Sequence, residues 1–224
     1  MTAPQVRERG ILFSGPMVRA ILAGRKTQTR RAMRTSHVGY HSFARWDGEP
    51  FRRAMMRCLN DPGIATGNPS LRSVFCENNR YGVPGDRLWV RETWQEDEAN
   101  GLCWRADHPA DQTPAAGWRP SVRMPRRASR ITLELTGVRV ERAHDISDAD
   151  IAAEGVDAET VRDLWNTASP KAQRENPLYA GNDLPLNDRP LFDLWRAAWT
   201  LINGRASWDA NPWVWVVEFK VVTP

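Results

Sequence analysis

The stretch that most limits how this chain can fold is its last strand pattern, residues 213–222. Trp213, Trp215, Val217, Phe219 and Val221 alternate onto one face, while Val214, Val216 and Val222 join Glu218 and Lys220 on the other. A strand apolar on both sides is expected to be largely buried inside a sheet, so other segments must supply its neighbours. Three do so by pattern. Ile11-Leu12-Phe13 is a short apolar strand. Residues 87–94, launched by the turn Pro84-Gly85-Asp86, alternate Leu88, Val90 and Glu92 against Trp89, Arg91 and Thr93. In residues 129–142, Ile131, Leu133 and Leu135 alternate with Thr132, Glu134 and Thr136, and Gly137 permits a bulge before Val138 and Val140.

Helices with readable ends lie between these strands. Ser14-Gly15-Pro16 opens a helix over residues 16–23 whose apolar face is Met17, Val18, Ile21 and Leu22; Gly24 can take the left-handed conformation that stops it. Ser147 and Asp150 form an S-x-x-D cap, Ile146 can staple onto Ile151, and Gly155 ends that short helix. Glu154 therefore falls in its last turn, where the helix dipole disfavours a negative charge. A further helix covers about 158–166. Pro190 opens a longer one with the stripe Leu191, Phe192, Trp195, Trp199 and Ile202. The stretches at about 32–84, 97–126 and 167–187 lack periodicity and read as insertions. The 224 residues are thus expected to form one α+β domain, 1–224.

The run Gly24-Arg25-Lys26-Thr27-Gln28-Thr29-Arg30-Arg31 reads as a basic turn at a helix end, carrying one amine, two hydroxyls and three guanidinium groups. Of the chain's 31 basic residues, 28 are Arg; only Lys26, Lys171 and Lys220 are Lys. Arginine stays protonated in proteins, whereas a lysine crowded by cations or desolvated can lose its proton and act as base or nucleophile. Lys26 and Thr29, three residues apart, can converge on one pocket. Glu92 shares the inward face of its strand, so it either pairs with an arginine or lines a pocket.

Residues 1–57 hold twelve basic and three acidic side chains, a net of +9; residues 141–193 hold five and twelve, a net of −7. A basic half fits a phosphate-bearing partner, and the acidic half can pair with it inside the fold. Most of the eleven tryptophans belong in the core, and some can serve as stacking platforms for bases. There is no apolar run long enough for a membrane helix and no signal-peptide core, and Cys58, Cys76 and Cys103 show no C-x-x-C spacing; a cytoplasmic protein is expected. His37, His41, Cys58 and Cys76 share the first insertion but lack the close cysteine pairs of zinc modules, so neither metal nor other cofactor is expected.

Gly24, Lys26, Thr29 and Arg31 match the signature G-x-K-x-x-[E/T]-x-R, and the chain thereby resembles the ASCH domain of the PUA-like β-barrel superfamily. The run Ile21-Leu22-Ala23-Gly24-Arg25-Lys26-Thr27 resembles bacterial ASCH proteins that hydrolyse N4-acetylcytidine. Gly85-Asp86-x-Leu88-x-Val90 and Val217-Glu218-Phe219-Lys220 are similar to the family's later strands. Residues 146–155 align without a gap on the helix carrying the catalytic glutamate of those enzymes, at Glu154. The whole set also resembles larger, tryptophan-rich ASCH proteins of phages and prophages, which would place it in a host cytoplasm. The resemblance covers about half the chain and leaves out the three insertions.

What the resemblance implies is a PUA-like (ASCH) barrel of five or six strands with flanking helices and long insertions. It also implies amide hydrolysis at a modified nucleoside or nucleobase, with Lys26, Thr29 and Glu154 as catalytic residues. Gly24, Arg25, Arg31, Arg91 and Glu92 would form the substrate-binding set. Two alternatives stand beside it: an RNA or modified-DNA reader without catalysis, and a ribonuclease. Its partner is accordingly a modified nucleoside or nucleic acid.

Overall fold

A computed structural model describes residues 6–33, 79–97, 101–108, 112–114, 117–176 and 190–222. His37, His41, Cys58 and Cys76 lie outside them, as do most of the first insertion and part of the other two. The strands are β1 (Glu8–Leu12), β2 (Gln28–Ala32), β3 (Arg87–Arg91), β4 (Trp94–Asp97), β5 (Gly101–Trp104), β6 (Thr132–Arg142) and β7 (Trp213–Val222). The helices are α1 (Gly15–Leu22), α2 (Asp148–Ala153), α3 (Ala158–Thr167), α4 (Pro170–Glu175), α5 (Pro190–Asn203) and α6 (Arg205–Asp209). No helix among the described residues is long and apolar enough to cross a membrane.

Five strands form one mixed sheet in the order β1-β3-β6-β7-β2, and β4 pairs with β5 as a separate hairpin. β1 runs parallel to β3; the other neighbours in the sheet are antiparallel. The long β6 shifts register between Leu135 and Gly137. A Cβ at Gly137 would lie 2.3 Å from a Glu218 carboxylate oxygen, so any larger residue there must displace the end of that side chain.

β7 is buried on both faces as its sequence demands, through Val214, Trp215, Val216, Val217 and Phe219. One face joins Ile11, Phe13, Val18, Leu88, Leu133 and Val217 in a core on the concave side. Val214 and Val216 look the other way, into a second core under α2, α3 and α5 that holds Ile151, Val161, Trp195 and Trp199. The strand's last turns escape both, and Val221 is exposed.

Among the described residues the sheet does not close into the expected barrel. Its edges, β1 and β2, share no ladder. They are joined in sequence by α1, whose Val18 and Ile21 enter the concave core. A side-chain bond crosses the gap instead, from Arg31 Nη2 to the carbonyl of Leu12 at 2.6 Å.

Other expectations shift in register. The basic turn ends sooner than its composition suggests, because residues 28–32 pair with β7 as a strand. On α1, Leu22 is exposed and Ala20 takes its place in the buried face; on α5, Ile202 is likewise exposed. The expected strand 87–94 breaks after Arg91. Within the second and third insertions, the hairpin strand β5 and helix α4 carried no clear periodicity in the sequence.

Candidate active site

The site is built where α1 ends and α2 ends. Gly24 has φ +70, the left-handed cap conformation. Beyond it the amides of Arg25 and Lys26 both donate to the carbonyl of Ala20, at 2.9 and 3.0 Å, which winds the chain so that Lys26 turns inward. The amide of Thr27 donates to the carbonyl of Ala153 at 2.8 Å, and Lys26 forms an isolated bridge with Glu154. Ser147 caps α2 by accepting from the amide of Asp150, as its S-x-x-D pattern indicated.

Gly155 makes this close approach possible. Its φ is +68, and an added Cβ would stand 2.8 Å from Ala20 Cβ and 2.9 Å from Lys26 Cβ. Gly155→Ala should therefore cost about 2–5 kcal/mol, the left-handed penalty plus overpacking. Gly24→Ala meets open space and should cost only the backbone part, about 1–2 kcal/mol. Urea unfolding of the two variants checks the difference; equal costs would contradict it.

Lys26 is 1% exposed and Glu154 3%. The Lys26 amine donates to Glu154 Oε2 at 2.7 Å and to the Glu154 carbonyl at 2.9 Å. The ring of Phe13 lies 5.7 Å away. The other carboxylate oxygen, Oε1, is 3.5 Å from Arg30 Nη1. Burial pushes the Lys26 amine below its ordinary value; the charge and hydrogen bond of Glu154 resist this, and Arg31 and Arg30 reinforce it. This is the condition under which a lysine can take up a proton from a substrate or nucleophile.

A lowered lysine has a definite signature in stability. The unfolded chain binds the Lys26 proton up to about 10.5, while the folded chain releases it sooner. Stability from this group therefore rises with pH between the lowered folded value and 10.5, and the burial penalty is fully present below that window. Wild type should gain stability relative to Lys26→Met as pH rises toward 10.5, measured by urea unfolding at successive pH values. A gap that is constant or moves the other way would contradict the assignment.

β2 sorts the remaining candidates by parity. Gln28 and Arg30 face α2, since both side chains reach Asp150. Thr29 and Arg31 face the concave side. Thr29 is 2% exposed and opposite Val217; the Arg31 guanidinium lies 5.0 Å from the centroid of the Phe13 ring. Arg31 Nε is buried without a hydrogen-bond partner among the described residues. Lys26 and Arg31 thus both lie over the ring of Phe13, Glu154 is bonded to Lys26, and Thr29 is on the same strand face as Arg31.

Four candidates are engaged elsewhere. Gly24 serves the helix cap, and Arg25 pairs with Asp157 at the surface. Arg91 donates to the carbonyl of Val122 and stacks on Trp89. Glu92 is held by Arg130 at 3.0 and 3.1 Å, and Arg130 also binds Asp107. Burial raises the Glu92 carboxyl above its usual range although Arg130 opposes this. Of the two readings that the sequence left for Glu92, the arginine pair is the one formed. Sequence reasoning gave no site role to Phe13 or Gln28, and counted Arg30 only among the cations crowding Lys26. Alternation within the basic run signals Arg30, because a charge two residues from Gln28 shares its side of the strand.

Among the described residues, part of the uneven charge of the sequence is taken up in ion pairs. Arg19 pairs with Asp163, Arg25 with Asp157, Lys26 with Glu154, and Arg30 with Glu141 and Asp150. Several tryptophans are likewise covered by arginines: Trp104 by Arg130 at 4.5 Å, Trp213 by Arg142 at 4.3 Å and Trp94 by Arg119 at 5.1 Å. Comparison with protein-family models, curated proteins and solved structures finds no match to this chain.

Proposed function

We propose that this chain is an ASCH-type amidohydrolase of the PUA-like superfamily. Its substrate would be an N4-acylated cytosine nucleoside or nucleobase. The observation that carries the proposal is the buried Lys26–Glu154 pair, with a 2.7 Å bond between amine and carboxylate. A lysine enclosed in protein against one shared carboxylate is a costly arrangement for stability alone, because two charges have been taken out of water. A buried lysine held below its ordinary value beside a carboxylate is characteristic of proton-transfer sites.

The reaction adds water across the amide, releasing a carboxylic acid and the free exocyclic amine. Thr29 positions the attacking water, or supplies the attacking hydroxyl itself, in which case water then cleaves the Thr29 ester to release the acid and restore the hydroxyl. Neutral Lys26 takes the proton released on attack. Glu154, hydrogen-bonded to that amine, receives this proton from Lys26 and passes it to the departing N4 as the C–N bond breaks, leaving Lys26 neutral again. The Nε of Arg31, without a partner among the described residues, would donate to an oxygen of the substrate. Lysine, hydroxyl and carboxylate together provide base, nucleophile and acid without a metal.

The cations of the turn, Arg25, Lys26, Arg30 and Arg31, are engaged within the protein, which favours this reading over a nucleic-acid reader that uses the turn, since such a reader needs cations free to replace counterions at phosphates. The test is a panel of acylated and unacylated nucleosides and oligonucleotides incubated with the protein and followed by mass spectrometry. Loss of the acyl mass from a cytosine derivative supports the hydrolase. No turnover, with oligonucleotide binding that weakens steeply with salt, assigns the chain to the readers.

A further inference from the structure

Arg30 occupies a variable position of the turn signature, yet it is more completely enclosed than any other cation of that run except Lys26. Its side chain is 0% exposed and meets carboxylates from three places: Glu141 on β6 at 2.6 Å, Asp150 on α2 at 3.0 Å and Glu154 at 3.5 Å. Its Nε is buried without a partner among the described residues. Arg139 lies on the other side of the same layer, bonded to Glu141, Asp150 and Glu218. Burial works against the Asp150 carboxylate, but Arg30 and Arg139 outweigh it and hold it below the usual range. A guanidinium does not give up its proton, so this layer is a rigid electrostatic clamp and not a relay.

We propose that Arg30 is a positioning residue: it holds Oε1 of Glu154, which turns Oε2 onto the amine of Lys26 and keeps that carboxylate from belonging to the lysine alone. Two cations then share one carboxylate. The charged groups facing Lys26 are Glu154 from the end of α2 and Arg30 and Arg31 from β2. With Arg30 gone, Lys26 is the remaining ion-pair partner of Glu154 among the described residues, and the amine holds its proton more firmly. The kinetic consequence rests on the hydrolase reading; the effect on the amine does not.

Only three lysines are present, so selective labelling of lysine Cε and Nζ gives one assignable Lys26 signal, absent in Lys26→Met. Titration of that signal should show its midpoint moving to higher pH in Arg30→Gln. Arg30→Lys, which keeps a cation in the layer, should restore it in part and remains informative where the glutamine variant folds poorly. Arg139→Gln disrupts the same ion layer without touching Glu154 and should leave the midpoint in place. In turnover of an acylated cytosine nucleoside, Arg30→Gln should lower kcat near neutral pH about tenfold and shift the rising limb of its pH profile to higher pH, with KM little changed. A Lys26 midpoint unmoved in both Arg30 variants, or moved equally by Arg139→Gln, overturns the proposal. Absence of turnover in wild type removes the hydrolase reading while the titration still decides the role of Arg30.

Discussion

Lys26→Arg should lower hydrolysis of an N4-acylated cytosine nucleoside by a factor on the order of 10² or more, with nucleoside binding changed far less. The substitution keeps the positive charge but replaces a group that can lose its proton with one that cannot. It also replaces a compact ammonium, bonded to both the carboxylate and the carbonyl of Glu154, with a larger planar fork. Single-turnover kinetics beside calorimetric binding separates the two effects. A variant with intact turnover would exclude Lys26 as the base. If the loss appears in affinity alone, the residue binds and does not catalyse.

The second large effect concerns stability. Removing either member of the Lys26–Glu154 pair leaves a buried group without its partner, which costs about 3–5 kcal/mol. Lys26→Met leaves Glu154 with only the 3.5 Å contact to Arg30 as a remaining ion pair. Glu154→Gln leaves the buried amine without a carboxylate. The double variant carries neither mismatch, so its cost should fall short of the sum by about 2–3 kcal/mol in urea unfolding. Activity should not recover with stability, because base and acid are both gone. Strict additivity would show that the two side chains are not coupled, and the geometry of the site would lose its meaning.

The parts of this molecule legible in the sequence are those governed by local chemistry. Alternation located β3, β6 and β7, the Ser147–Asp150 cap located α2, and Gly137 marked the bulge because each signal lies within a few residues of its effect. The meeting of Lys26 with Glu154 was reached through family resemblance and not through local pattern, since 128 residues separate them. What stayed hidden depends on the far side of a contact. Glu92 could not be read as an Arg130 partner, because nothing near it in sequence names one arginine among many. The open edge between β1 and β2 was likewise invisible, because strand patterns specify faces and not ladder closure. The two-sided enclosure of Arg30 arises from Glu141, Asp150 and Glu154 together, and no segment carries that information alone.

The most direct measurement is hydrolysis of N4-acetylcytidine by wild type in water enriched in ¹⁸O, with the products weighed by mass spectrometry. The account predicts cytidine in step with acetate carrying the heavy oxygen, and loss of both products in Lys26→Arg. Unchanged substrate with wild type across the acylated panel, together with oligonucleotide binding that collapses as salt rises, would contradict it.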